Sequence, residues 1–455
     1  MSKRFVANNA SRAKTCAGWA VLIVALTALT RIAASTHTSS PGREPGISLS
    51  DGHALAAGHR VSDITPLRCT PRAVPDFIWG LTVTKISNIS DISYALADLK
   101  SSFPKLKPGE LPPIMVRVVF DPSRSEEEFI DAMKSYQEAI SKISEHAYVM
   151  GTIADSYDWY PYTSLTSGGS TSGHNNYRIR TERLIGAMGD CIQVWEIGNE
   201  VNGEWTGWKQ GHVPDSGGQL STMREKIGGH ISDAFAAVQA YNSAAPPLSK
   251  KKTAITLLYN SDGPPSARRT CFDKPEYEMR AWAKNHIDPV VRAGVDYVLL
   301  SYYENKKDCP GLMQDAGTFV SNFKALAAKD MFPNAKMGFG EIGYKETCPE
   351  DDDKRRDKKE CVLGKTNCPA GRICIGQEAY IRKYFHRLNR DISGVLSSER
   401  SQKPDNAPPA FIGGYFYWFF VQDMTGKNKS GESAAQERNR NALKEAMADH
   451  IFLKD

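Results

Sequence analysis

The chain has 455 residues, of which 41% are hydrophobic and 24% are charged. This composition excludes an intrinsically disordered chain and provides apolar material for a large core. The formal net charge of +5 arises in the first 34 residues, which carry basic but no acidic side chains, and the rest of the chain has equal numbers of each. A nucleic-acid partner is therefore excluded, because the basic surface that it needs is missing.

The first 34 residues have the pattern of an export signal. A basic segment ends at Lys14, an apolar stretch follows over residues 15–30, and small residues occupy 33–35. The stretch is short for a membrane span and suits a secretory signal peptide, so we expect a secreted or periplasmic protein. The alternative is an uncleaved signal anchor, which would hold the body at a membrane, outside the cytoplasm.

Residues 35–75 are rich in Ser, Gly and Pro and predict a linker. From residue 76 onward, apolar runs rich in β-branched and aromatic residues alternate with segments that space their apolar residues three and four apart, as helices do. The eight runs are 77–84, 114–120, 148–154, 192–198, 254–259, 297–303, 337–342 and 412–420.

Eight strands that alternate with helices predict an α/β fold, a single (β/α)8 TIM barrel over residues 76–455. A doubly wound open sheet is the alternative, but no G-x-G-x-x-G segment follows the first run. The predicted domain exceeds the roughly 250 residues typical of such barrels, so we expect enlarged loops after strands 4 and 7. Both loops lie on the face where these barrels carry their active sites.

Eight cysteines follow the leader, and an even number in an exported protein predicts disulfide bonds. Four of them lie in a charged insertion at 346–375, after strand 7. A zinc site formed by these four is the alternative, although none of them has the C-x-x-C spacing common among zinc ligands. No HExxH pair occurs either, and we expect neither a metal nor a cofactor.

Two glutamates end predicted strands on the same face of the barrel. Glu200 follows strand 4 in the sequence WEIGNE, and Glu341 ends strand 7 in MGFGEIG. Two carboxyls that face each other across a cleft are what glycoside hydrolysis requires, one as acid and the other as nucleophile or base. Glu196 lies four residues deeper on strand 4, where we expect it to be out of a substrate's reach.

These residues belong to a set of motifs that resembles the clan A retaining glycoside hydrolases. The motifs GNE-x-NG, LSYY, GEIGY and FYW are most similar to those of the endo-β-1,4-galactanase family within that clan. The departures are Phe419-Phe420, where an acidic residue and Pro commonly follow FYW, and Ser301, where many clan members have His. The positions that match the clan are Arg117, Asn199, Glu200, Tyr303, Glu341 and Trp418.

The resemblance implies that Glu200 is the acid/base and Glu341 the nucleophile, with the short carboxyl separation of a retaining enzyme. It also implies that Asn199, Arg117, Tyr303 and Trp418 bind or orient the substrate. On electrostatic grounds we expect Arg117 to keep Glu341 ionised, while Glu200 must hold a proton to act as acid.

Aromatic residues near the predicted strand ends suggest a cleft for a sugar polymer, because flat rings suit the C–H faces of sugars. Among them we expect Trp79 on strand 1 and Trp205 after strand 4 to contact substrate, beside Trp418. Further aromatics follow strands 3 and 4 at Tyr157, Trp159, Tyr160, Tyr162 and Trp208.

The sequence thus predicts an exported, monomeric retaining glycosidase that cleaves a β-linked polysaccharide or oligosaccharide by double displacement, in endo fashion. Two alternatives stay open. One is a barrel that binds carbohydrate without turnover, and the other is a transglycosylase that uses the same glutamates.

Overall fold

A computed structural model describes the chain from Ile64 to Phe452, and every described residue belongs to the unit 59–455 of the two into which the chain divides. The predicted leader and the predicted Cys-rich insertion at 346–375 lie outside the described residues. The positions left undescribed inside this range are 104–105, 108, 124, 159–175, 204, 207–218, 260–276, 304, 307–308, 311–314, 344–376, 403–407, 419, 426, 429–430 and 433.

Eight parallel strands close into a barrel in which each strand pairs with its neighbours in the chain and the last pairs with the first. The predicted (β/α)8 barrel is confirmed. The strands are β1 (Ile78–Val83), β2 (Ile114–Val119), β3 (Tyr148–Thr152), β4 (Val194–Gly198), β5 (Lys252–Leu258), β6 (Tyr297–Tyr303), β7 (Lys336–Gly343) and β8 (Gly413–Tyr417).

Helices cover the outside of the barrel. Local chemistry sets several of their starts: α2 begins after Ser125, whose side chain accepts a hydrogen bond from the Glu128 backbone N–H at 3.1 Å. The helices are α1 (Ile89–Lys100), α2 (Glu126–Ser144), α3 (Tyr177–Met188), α4 (Gln219–Ala244), α5 (Met279–His286), α6 (Pro289–Gly294), α7 (Ala316–Leu326), α8 (Gln377–Ile381), a π-helix (Arg382–Leu388), α9 (Asn389–Gln402), α10 (Phe420–Met424) and α11 (Ala434–Phe452).

Long connections follow β4 and β7, as predicted, and also β3 and β5. All four lie at the carboxyl ends of the strands. The loops at this face therefore have the length needed to build a cleft.

Both faces of each strand are buried, which explains the nearly continuous apolar runs of the sequence. Side chains alternate between the helix layer and the barrel interior. On β1, Trp79, Leu81 and Val83 pack in the outer core, whereas Ile78 belongs to the inner one. The lower interior is apolar, with Met115 and Val194 among its residues.

The segment 64–75, predicted as part of a linker, lies against the barrel. Ile64 is buried, and the Leu67 N–H donates to the Ala187 carbonyl at 2.8 Å. Cys69 forms a disulfide with Cys191, just before β4. The body of the protein therefore begins at or before residue 64, on the face opposite the strand ends that carry the glutamates.

The other predicted disulfides lie outside the residues whose side chains are described. Within the described part of the chain, no helix is both long and apolar enough to cross a membrane.

A bulge in β7 decides which way Glu341 points. Strict alternation would send Gly338 and Gly340 into the barrel and Glu341 outward. The pairing with β6 shifts instead, so that Leu300 faces Phe339 but Ser301 faces Glu341. The extra residue, Gly340, lets Glu341 turn into the barrel as well.

We predict that Gly340→Ala destabilises the protein by roughly 1–3 kcal/mol, because the added Cβ would lie 2.8 Å from the Leu299 Cβ and also meet the Thr256 hydroxyl. Gly186→Ala is the matched control: no atom lies within 4 Å of its Cβ position on α3, and it should stabilise by about 0.5–1 kcal/mol. Urea unfolding measures the free energy of unfolding of both variants, and an equal change in the two would contradict the role given to Gly340 in the bulge.

We also predict that Cys69→Ala with Cys191→Ala lowers the free energy of unfolding by roughly 2–5 kcal/mol, because the disulfide closes a loop with a sequence separation of 122. Reducing the wild-type protein should lower its melting temperature, and the double variant should not respond to reductant. A reductant-sensitive double variant would show that another bond carries the effect.

Candidate active site

The two predicted catalytic glutamates meet inside the mouth of the barrel. Glu200 lies just after β4 and Glu341 near the end of β7, and both side chains are buried. Glu200 has a φ of 44°, a left-handed conformation that costs a non-glycine residue energy and is often kept at functional sites. The bend at Glu200 and the bulge at Gly340 thus bring the carboxyls together.

Ser301 on β6 contacts both carboxyls. Its hydroxyl hydrogen-bonds Oε1 of Glu200 and lies 3.2 Å from Oε2 of Glu341. Because one oxygen touches both groups, the carboxyls are closer than the roughly 6.5–9.5 Å that an inverting mechanism needs for its water. The geometry therefore fits the retaining arrangement.

Below this pair, Arg117 joins two glutamates. Its Nε donates to Glu196 at 2.8 Å and its Nη1 to Glu341 at 3.4 Å. Glu196 also accepts hydrogen bonds from Thr152 at 2.6 Å and from Thr256. Three side chains thus hold Glu196 inside the barrel by hydrogen bonds, in agreement with its deep predicted position.

The pKa values follow from this crowding of charges. Burial raises the pKa of Glu341 well above its ordinary range, the charge of Glu200 adds to the rise, and Arg117 opposes it. Burial alone would lower the pKa of Arg117, but the charges of Glu196 and Glu341 raise it. Arg117 favours the ionised form of Glu341, but its closer contact is with Glu196, and the effect of burial on the pKa of Glu341 is larger.

Like charges this close do not both ionise readily, so the pair of Glu200 and Glu341 retains one proton above the pH at which an ordinary carboxyl loses its own. The titration therefore belongs to the pair.

Tyr303 and Trp418 border the same pair. Removal from solvent raises the pKa of the Tyr303 hydroxyl, and the charges of Glu341 and Glu200 raise it further, so this phenol stays a hydrogen-bond donor. Trp418 is half-buried, and the guanidinium of Arg117 lies 5.4 Å from the centre of its ring. The structure thus brings both predicted residues to the mouth.

A second group of side chains surrounds Glu200 from the segment after β3. Ser156 Oγ lies 3.3 Å from Oε2 of Glu200 and accepts a hydrogen bond from the Trp205 indole at 3.0 Å. Asp155 accepts from the Asn199 amide at 3.1 Å. The Oδ1 of Asn199 is buried and has no hydrogen-bond partner among the described residues, which leaves an acceptor free at the site.

The ring of Trp205 stacks on that of Tyr157, with centroids 6.1 Å apart and planes 23° from parallel. Trp205 is partly exposed and Tyr157 is exposed. An aromatic pair therefore stands beside Glu200.

Trp79 does not reach the cleft, and its predicted role in substrate binding is wrong. It is fully buried and packs against Phe77, Phe385 and Tyr415. The reason is the period of two along β1, which directs Trp79 toward the helix layer.

Sequence reasoning missed the parts that Ser301 and Ser156 play at the site. Ser301 stands two residues before Tyr303 on β6, so strand alternation could have placed it in the barrel. Asp155 and Ser156 follow β3 as Glu200 follows β4. The side chains of Trp159, Tyr160, Tyr162 and Trp208 lie outside the described residues, as does the insertion at 346–375.

Among the described residues, no group of His, Cys, Asp and Glu side chains could hold a metal ion. Two buried carboxyls in contact with one hydroxyl can transfer a proton and provide a nucleophile.

Among solved structures, the chain is similar to the AHE enzyme from Alicyclobacillus herbarius, at 12% identity and a TM-score of 0.48, over 84% of this chain and 100% of that chain. It is also similar to a family 1 β-glucosidase from Thermotoga maritima, at 12% identity and a TM-score of 0.42, over 76% of this chain and 88% of that chain. No family model and no curated protein matches the sequence. The resemblance is distant, and the chemistry open to this protein follows from its own side chains.

We predict that Glu341→Gln makes the protein more stable at neutral pH, by roughly 0.5–2 kcal/mol, because it removes a poorly solvated buried charge. A carboxyl with a raised folded-state pKa binds its proton more tightly in the folded chain, so its contribution is present at low pH and is lost as pH rises above the ordinary value of 4.5. The stability gap between variant and wild type should therefore widen with pH.

Denaturant unfolding from acid to neutral pH measures this gap. Glu138→Gln on α2 is the control with the opposite sign: the hydrogen bond and charge of Lys142 lower the pKa of Glu138, so this variant should lose stability relative to wild type as pH rises. Parallel curves for Glu341→Gln and wild type would contradict the raised pKa.

Proposed function

We propose that this protein is a retaining glycoside hydrolase that acts on β-linked glycosides. The observation that carries the proposal is the buried carboxyl pair at the ends of β4 and β7, held within contact of one hydroxyl and backed by Arg117. Short separation, one retained proton and a neighbouring cation are the conditions that double displacement needs.

In the first step, a carboxylate oxygen of Glu341 attacks the anomeric carbon. The glycosidic C–O bond breaks, and the leaving oxygen takes the proton of Glu200. In the second step, Glu200 takes a proton from water, whose oxygen attacks the same carbon and displaces Glu341. Arg117 supports this division of labour, because it contacts Glu341 and favours the charge there.

The surrounding side chains suit a sugar. Asn199 gives its amide N–H to Asp155 and keeps its free Oδ1 for a sugar hydroxyl. Trp418 lies over Arg117, on the side of Glu341, and offers a ring to the sugar that is attacked. Trp205 and Tyr157 lie beside Glu200, where the leaving group departs.

Aromatic rings on both sides of the carboxyl pair favour a substrate with sugars on both sides of the cleaved bond. We therefore propose a β-linked polysaccharide and endo action. Because the motifs are most similar to those of the endo-β-1,4-galactanase family, β-1,4-galactan is the first candidate substrate. We further propose export, which the Cys69–Cys191 disulfide supports because such bonds persist in oxidising compartments.

We predict that Glu341→Ala lowers kcat/KM by more than about 10⁴-fold on every substrate that the wild type cleaves. Glu200→Ala should lose roughly 10²–10⁴-fold on polysaccharides but far less on aryl glycosides, whose leaving groups depart without protonation. The measurement is a screen of β-1,4-galactan, other β-linked polysaccharides and aryl β-glycosides, with the product anomer followed by NMR.

Asp121→Asn is the matched control, because Asp121 is an exposed carboxyl just beyond the end of β2 that bonds the Tyr136 hydroxyl. It should keep wild-type activity. Inversion at the anomeric carbon would overturn the retaining mechanism. Glycan binding by wild type and both alanine variants without cleavage would identify a binding barrel, and sugar transfer that dominates over hydrolysis with an acceptor present would identify a transglycosylase.

A further inference from the structure

Ser301 occupies a position between the two carboxyls that the proposed chemistry does not by itself require. The side chain is fully buried on β6, and the bulge in β7 sets Glu341 directly opposite it. Its hydroxyl touches one oxygen of Glu200 and one of Glu341.

A hydroxyl has one proton to donate, whereas two ionised carboxylates are both acceptors. If both glutamates were charged, Ser301 could donate to only one, and its lone pairs would face the other anion. If the pair holds one proton, both contacts are satisfied, because the protonated carboxyl donates to Ser301 and Ser301 donates to the carboxylate. Ser301 therefore matches the singly protonated pair.

We propose that Ser301 is a positioning residue that joins Glu200 and Glu341 into one hydrogen-bonded unit with a single shared proton. The proposal rests on the proposed function for the separate roles of the two glutamates, but the shared proton itself requires only the geometry.

Arg117 sets the direction of the hydrogen bonds from Glu200 through Ser301 to Glu341 before the reaction begins. The proposed roles require the proton on Glu200 and the charge on Glu341; the contact of Arg117 with Oε1 of Glu341 favours the charge there, and Ser301 then donates to Oε2 of Glu341. When Glu341 is esterified by the sugar it is neutral, and Glu200 has become the charged group. The Ser301 hydroxyl then turns to donate to Glu200, so that its hydrogen bond follows the negative charge through both steps.

Several other charged or titratable groups face the pair, and each stays in place in the variants used below. They are Arg117 from β2, Asp155 and Tyr157 from the segment after β3, Glu196 from β4 and Tyr303 from β6.

The test is a titration of the pair in the full-length protein, observed as the infrared C=O band of the protonated carboxyl. Difference spectra against Glu341→Gln isolate the coupled pair. Ser301→Ala should bring the two apparent pKa values of the pair closer, because the singly protonated state loses its bridge. We expect the upper value to fall by about one pH unit and the lower value to rise by less.

Ser301→Thr keeps the hydroxyl and should keep the wild-type difference between the two apparent pKa values. Ser301→Cys keeps a similar size with a weak donor and replaces the alanine variant if that one does not fold. Thr82→Val is the matched control, because the Thr82 hydroxyl is buried on β1 and has no partner among the described residues. It should leave both values unchanged.

Unchanged pKa values in both Ser301→Ala and Ser301→Cys would overturn the proposal. The titration does not need activity, so its outcome is separate from that of the proposed function. If the wild type cleaves no glycoside but Ser301→Ala narrows the spacing, the shared proton stands and the hydrolase assignment fails. With an active enzyme, the bell-shaped profile of kcat/KM against pH should narrow in Ser301→Ala and recover in Ser301→Thr.

Discussion

The ion contacts of Arg117 are the interaction on which the rest of the site depends. The guanidinium is buried with Glu196 on one side and Glu341 on the other. Loss of Glu196 would leave the buried guanidinium without its closer partner, which costs several kcal/mol, so Arg117 and Glu196 form a fixed ion pair inside the barrel. Because Arg117 lies closer to Glu196 than to Glu341, its positive charge compensates the charge of Glu341 only in part.

That partial compensation explains the electrostatic state of the mouth. Glu341 is buried beside Glu200, and the charge of Arg117 does not suffice for both carboxyls. A proton must therefore remain on the pair. A retaining hydrolase needs this state, in which one carboxyl is protonated and the other is charged. Here the state follows from burial of the pair and from the presence of one cation for several carboxylates, before any substrate is bound.

Backbone irregularities give these charges their places. The bulge at Gly340 turns Glu341 into the barrel, and the left-handed conformation of Glu200 turns its carboxyl toward Ser301. Both features cost stability, and the paired strands and packed helices around them supply it. The closed barrel is thus the rigid frame that keeps a strained and crowded site in one arrangement.

The sequence by itself determined the strand and helix alternation, because runs with both faces buried and segments with helical spacing follow from local chemistry. It also pointed to Glu200 and Glu341, because side chains at strand ends of a parallel barrel share one face, and to Arg117 through its resemblance to a motif of the clan A glycoside hydrolases. Only the tertiary structure decided that Trp79 packs toward the helices and that segment 64–75 belongs to the body. It also decided that a bulge, against strict alternation, brings Glu341 onto Ser301. These outcomes depend on register and on contacts between residues far apart in the chain, which a local pattern does not contain.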